Sequence, residues 1–180
     1  MDNLLLTDIK AGLPGITPVE GANLYENCVV ELHRCGHSEQ VILSLTGITT
    51  DTCKLIWEDA FNEQLDRTYA DEQSVTERSA VCISVLLALS LTNYTVIERS
   101  RRGTGIDYML GDKDDPLFMP KARLEISGIK RETVKNTVTT RYQQKQEQTS
   151  ISDHTQLPAY ISIVEFSTPK AIFNIKETIQ

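Results

Sequence analysis

Residues 95–130 read TVIERSRRGTGIDYMLGDKDDPLFMPKARLEISGIK, and they decide the fold. Three runs within them are rich in β-branched and apolar residues and read as strands: 95–101, 105–110 and 122–129. Asp114-Asp115-Pro116 and Pro120 mark the turn between the second and third runs, and Gly111 supplies a further break. A polar segment from Arg131 to about Gln148 follows and reads as a helix. Asp107 lies inside the second strand and Glu125 inside the third, each flanked by apolar neighbours. A carboxylate in mid-strand is costly to bury unless something compensates it, and a divalent cation is one such partner.

Before this stretch, Ser74-Val-Thr-Glu77 fits a capping box, and the helix it opens runs to about Asn93. That helix is apolar nearly all round and should lie against a sheet. Trp57, Phe61, Leu65 and Tyr69 recur at four-residue spacing and predict another helix from about Glu58. After the stretch, 159–166 reads as a strand and 171–175 as an edge strand. The chain from Ser74 onward is therefore helix, strand, strand, strand, helix, strand: an α/β fold with a mixed central sheet flanked by helices.

The first 57 residues read differently. Gly12, Pro14, Gly15 and Pro18 make residues 1–21 an extended arm or loop. Residues 24–33 and 41–45 read as an antiparallel hairpin turned at 34–40, with a third strand at 54–57. The predicted organisation is an arm and β-hairpin element over 1–57 and an α/β core over 58–180. His33, Cys35 and His37 would share one face of a strand, with Cys28 upstream. Zinc sites usually draw ligand pairs from two chain segments, and no second Cys/His pair is present, so these residues read as an ordinary hairpin tip.

Composition narrows the compartment and the partners. Four cysteines fall in no CxxC pair, and MDNLLLTDIK is unlike a signal peptide, which points to a reducing cytoplasm. The longest apolar run, Val81 to Leu91, is shorter than the roughly 20 residues a membrane span needs, so no membrane partner is expected. Net charge is −7, unevenly spread. Residues 1–95 carry 5 Lys/Arg against 14 Asp/Glu, whereas residues 96–145 carry 11 against 7. The basic excess falls on the stretch that holds Asp107 and Glu125, where it is placed to contact phosphates; the same charges also suit the solvated faces of a sheet and helix.

The order of elements, with Asp107 in GIDY and Glu125 in ARLEIS, resembles the PD-(D/E)xK nuclease superfamily, also described as the restriction-endonuclease-like fold. The resemblance covers about residues 74–166. It implies that Asp107 and Glu125 hold Mg²⁺ or Mn²⁺, and that Glu77 on the preceding helix supplies an extra acid. Ser127 stands where the family has its water-activating lysine, and Asp107 follows Gly105-Ile106 instead of proline. Candidates to replace the lysine are Lys130 or Arg131, with Lys121 or Arg123 approaching from the same strand.

The physical case stands beside the resemblance. Two carboxylates on neighbouring strands can share one hard cation, which holds a phosphate and acidifies a bound water. Arg99, Arg101 and Arg102 are candidates to grip phosphates near that site, and Arg131, Lys135, Arg141 and Lys145 to contact a backbone or base edges. The alternative for the acids is structural: Asp107 paired with a neighbouring arginine, Glu125 with Arg123 or Lys121. Gly103-Thr-Gly105 lacks the residues of a phosphate loop, and Asp153-His154 has no serine elbow beside it.

The leading expectation is a metal-dependent DNA nuclease, or a nuclease-like subunit of a bacterial restriction or phage-defence system. The alternative is a nuclease-fold protein without catalysis, a binding or assembly subunit whose acidic N-terminal half meets a basic protein partner, or an acidic immunity protein.

Overall fold

The computed structural model describes residues 3–58 and 60–176. Strand β1 (Asn3–Leu5) and a 3₁₀ turn, Leu6–Ala11, lead to helix α1 (Pro18–Arg34). Thr17 caps α1 by accepting from the Glu20 backbone N–H, and Pro18 occupies the first turn, where a missing N–H costs nothing. The expected arm and the expected strand at 24–33 are thus corrected. Leu24, Tyr25, Cys28, Val29 and Leu32 are buried at a helical period, and Val29-Val30 gave the segment its β-rich look. Thr17-Pro-Val-Glu20 has the S/T-x-x-E form that announces a helix.

The hairpin is one element later than expected. Strands β2 (Gln40–Gly47) and β3 (Asp51–Ile56) pair antiparallel, and β1 adds to β3 in parallel. The helical stripe from Trp57 yields only the short α2 (Glu63–Thr68), capped by Asn62, because Phe61 stacks on His33 and the Trp57 N–H extends the sheet to Glu39. The next helix, α3 (Glu72–Leu91), begins a turn before the expected capping box, with Asp71 accepting from the Ser74 N–H at 2.7 Å. It is long and apolar enough to cross a membrane, but it is mostly buried, packed between α1 and the sheet.

The remaining elements are β4 (Tyr94–Arg99), β5 (Tyr108–Asp112), β6 (Pro120–Ile129), α4 (Val138–Thr149), β7 (Ala159–Glu165) and β8 (Lys170–Ile175). Helix α4 starts at Val138 behind its Thr137 cap, seven residues later than expected, so Arg131 and Lys135 lie in the loop before it.

All eight strands form one mixed sheet in the order β1-β3-β2-β8-β7-β6-β5-β4. Strands β4, β5 and β6 form an antiparallel meander, β6 and β7 run parallel through the α4 crossover, and β7 turns back into β8. Strand β8 then pairs in parallel with β2, Ser44 opposite Lys170 through Gly47 opposite Phe173. The expected boundary at residue 57 therefore separates no two cores. One hydrophobic cluster joins Leu24, Leu43 and Leu55 to Ile83, Leu124 and Phe173.

Alternation along β6 assigns the faces. Gly128 approaches Thr76 of α3 so closely that an added Cβ would lie 2.5 Å from its carbonyl oxygen, whereas Ser127 meets Arg141 of α4. Helices α1 and α3 cover one face; α4 covers the other over β6 and β7.

Candidate functional site

Arg123, Glu125 and Ser127 project from β6 towards α4 and the segment after it, and all three are buried. On α4, Arg141, Lys145 and Gln148 stand at i, i+4 and i+7, one stripe facing that row. Lys145 Nζ lies 2.5 Å from Glu125 Oε1, and the Gln148 side-chain amide donates to the same oxygen at 2.8 Å. Lys145 also donates to Gln148 Oε1 at 3.0 Å, which closes a triangle of cation, carboxylate and amide. Glu125 Oε2 is buried and meets no hydrogen-bond donor among the described residues.

Asp107 sits at the entrance to β5, one residue before the strand begins. Its N–H donates to Leu124 O, its carbonyl accepts from Ser100, and its carboxylate Oδ2 accepts from the Ile126 N–H at 2.8 Å. These bonds hold the side chain near enough to Glu125 for the two carboxyls to act on each other. Burial first, and then the Asp107 charge, push Glu125 up to about 7, while Lys145 pulls it down. Burial also raises Asp107, against the Ile126 N–H and the charges of Lys145 and Arg99.

The other expected site residues divide. Arg99 at the end of β4 is exposed and near enough to act on Asp107, and the exposed Arg101 and Arg102 follow in the turn that leads back to it. That turn is seated on the site: an added Cβ at Gly105, whose φ is +75°, would lie 2.4 Å from Gln148 O. Arg141 reaches Ser127, one pleat along from Glu125. The exposed Arg131 and Lys135 lie beyond the far end of β6.

Two expectations need correction. Glu77 is exposed on α3, accepts from Gln73, and is separated from the acid pair by the sheet. Lys130 lies five residues past Glu125, about 16 Å along a strand, and pairs with Glu72 of α3 at 3.0 Å. The cation beside the acids comes instead from Lys145, on a helix the strand motif does not contain. The Arg141, Lys145, Gln148 spacing was the signal that could have located it.

The structural pairings weighed for the acids also resolve. Arg123 does not pair with Glu125; it bonds Leu157 O, Thr149 O, Ser152 Oγ and Asp153, and so fastens the segment after α4 to β6. Glu165 caps the β7–β8 turn through Ser167 and Thr168, four residues along the register from Ile161, the partner of Glu125. His33 stacks on Phe61, and His37 Nε2 bonds Phe166 O.

A hard divalent cation suits the pair in donor chemistry. The acids offer carboxylate oxygens, one of them buried without a partner, and Mg²⁺ commonly uses one or two carboxylates and fills its remaining positions with water and substrate phosphate. Among the described residues no third His, Cys, Asp or Glu joins them to make a metal-holding group. No protein-family profile, curated protein or solved structure matches the chain.

Proposed function

We propose that this protein is a nuclease-like phosphodiester hydrolase that cuts DNA, with Asp107 and Glu125 as the residues that hold Mg²⁺ or Mn²⁺ and Lys145 as the neighbouring cation. The observation that carries this reading is the convergence of β5, β6 and α4 on one acid pair, Glu125 buried and Asp107 half-buried, with a lysine 2.5 Å from Glu125. The order α3-β4-β5-β6-α4-β7, a meander followed by a parallel crossover, supports a restriction-endonuclease-like core.

When bound, the metal would acidify a water and draw charge from the scissile phosphate. Lys145 supplies the positive charge that Ser127 cannot: its ammonium stands over Glu125 Oε1, placed to orient the attacking water and to stabilise charge developing on the phosphate. Gln148 fixes that ammonium through its carbonyl oxygen. The Ile126 N–H keeps Asp107 turned towards Glu125, and Arg99 lies near enough to act on Asp107, with the exposed Arg101 and Arg102 in the turn between them. The test is a cleavage assay in which Asp107→Ala, Glu125→Ala and Lys145→Ala each lose activity while Lys130→Ala keeps it. Full activity in Lys145→Ala sinks this assignment.

A second reading rests on the two-acid set itself. Glu125 has its charge matched by Lys145 and a pKa near neutrality, so the cluster also suits a protein that keeps the fold and binds a partner without cutting. The acidic N-terminal part is then the surface for a basic protein. Cleavage by the purified wild type, lost in Glu125→Ala, eliminates this reading.

A further inference from the structure

Four arginines are not exposed: Arg34, Arg78, Arg123 and Arg141. The first three each face a carboxylate, respectively Asp66, Glu20 and Asp153. Arg141 does not. Its Nη1 donates to the Ser127 hydroxyl at 3.1 Å, its Nη2 donates to the Asn136 side-chain oxygen at 2.8 Å, and its buried Nε has no partner. A half-buried guanidinium bonded only to neutral oxygens keeps its full charge with nothing opposite it, which favours a site that receives an anion.

Its position states which anion. Arg141 precedes Lys145 by one turn of α4, so their side chains lie about 5–6 Å apart at the Cβ atoms. On β6 the corresponding step is Glu125 to Ser127, about 6.6 Å along one face. Lys145 has its counter-charge in Glu125; Arg141, one step farther from Asp107, has none among the described residues. We infer that Arg141 binds the phosphate next to the one held at the acid pair, so that the site takes a polynucleotide strand and not an isolated phosphodiester. This rests on the hydrolase reading for the position of the first phosphate, while the second phosphate is read from Arg141 alone.

The probe is a short fluorescein-labelled thymidylate strand, titrated with the full chain by anisotropy at several salt concentrations in metal-free buffer. Arg141→Gln should bind it about tenfold more weakly and flatten the plot of log affinity against log salt by roughly 0.7–1, the share of one phosphate contact. Arg141→Lys should restore most of the slope, because the charge remains. Thymidine 5′-monophosphate, with one phosphate, should lose less affinity than the strand. Should Arg141→Gln fail to fold, a strand with alternate phosphates replaced by neutral methylphosphonates asks the same question of the wild type, which should bind it about tenfold more weakly. An unchanged slope in Arg141→Gln, an equal loss for the mononucleotide, or equal binding of the methylphosphonate strand would overturn the inference. Binding through Arg141 by a wild type that cuts nothing would end the hydrolase reading and leave this one standing.

Discussion

At the scale of single residues, buried carboxyls set the pH behaviour. Glu31 is fully buried on α1; one oxygen accepts from Thr76, the other has no partner, and burial raises its pKa against the pull of Lys130 and Arg34. The folded protein therefore keeps this proton to a higher pH than the unfolded chain does. Stability is greatest below the ordinary carboxylate range and falls as pH rises towards the raised value, by about 1.4 kcal/mol for each unit of difference. Glu31→Gln removes the titration, so its melting temperature relative to wild type should improve between pH 4 and pH 8; a constant difference would contradict this. Glu125 follows the same sign up to about 7 in the metal-free protein. In Lys145→Met the cation that lowers it is gone, and carboxyl-carbon NMR should find Glu125 titrating above the wild-type value.

At the scale of elements, close approach decides what tolerates change. Gly128 lets β6 lie against α3, and the backbone oxygen it would strike at 2.5 Å cannot swing away as a flexible side chain would. Gly128→Ala should cost about 1–3 kcal/mol by overpacking, seen as a lower denaturant midpoint with an unchanged slope. Elements were legible where one period dominated. The meander, α3 and the β7–β8 pair stand where turn residues and apolar runs place them, whereas α1 was hidden behind Val29-Val30 and the stripe from Trp57 was cut short by the Phe61–His33 stack. Glu125 was legible as a mid-strand acid because the expense of burying charge marks it out; Asp107, expected inside the second strand, stands one residue before β5, because that strand begins three residues later than its apolar run suggested. Lys145 was not, because its partner lies 20 residues away and only the crossover brings α4 over β6.

For the whole molecule, the first 57 residues complete the sheet through β2 and β8 and pack α1 on α3, so removing them would expose Phe173 and the face of α3 that meets α1. The acid pair lies on the continuous sheet, so a ligand there bears on the stability of the whole fold. Mg²⁺ or Mn²⁺ at a hundred times its dissociation constant should stabilise the fold by about 2.7 kcal/mol, raising the melting temperature of wild type but not of an Asp107→Ala/Glu125→Ala double variant. The central claim is that the acid pair with Lys145 cuts phosphodiesters. Its most direct test is cleavage of supercoiled plasmid, linear duplex and single-stranded DNA with Mg²⁺ or Mn²⁺ by wild type, Glu125→Ala and Lys145→Ala. Cleavage by wild type and loss of at least a hundredfold in both variants is the expected result; wild type that leaves every substrate intact, or variants that cut as fast as it does, would contradict the account.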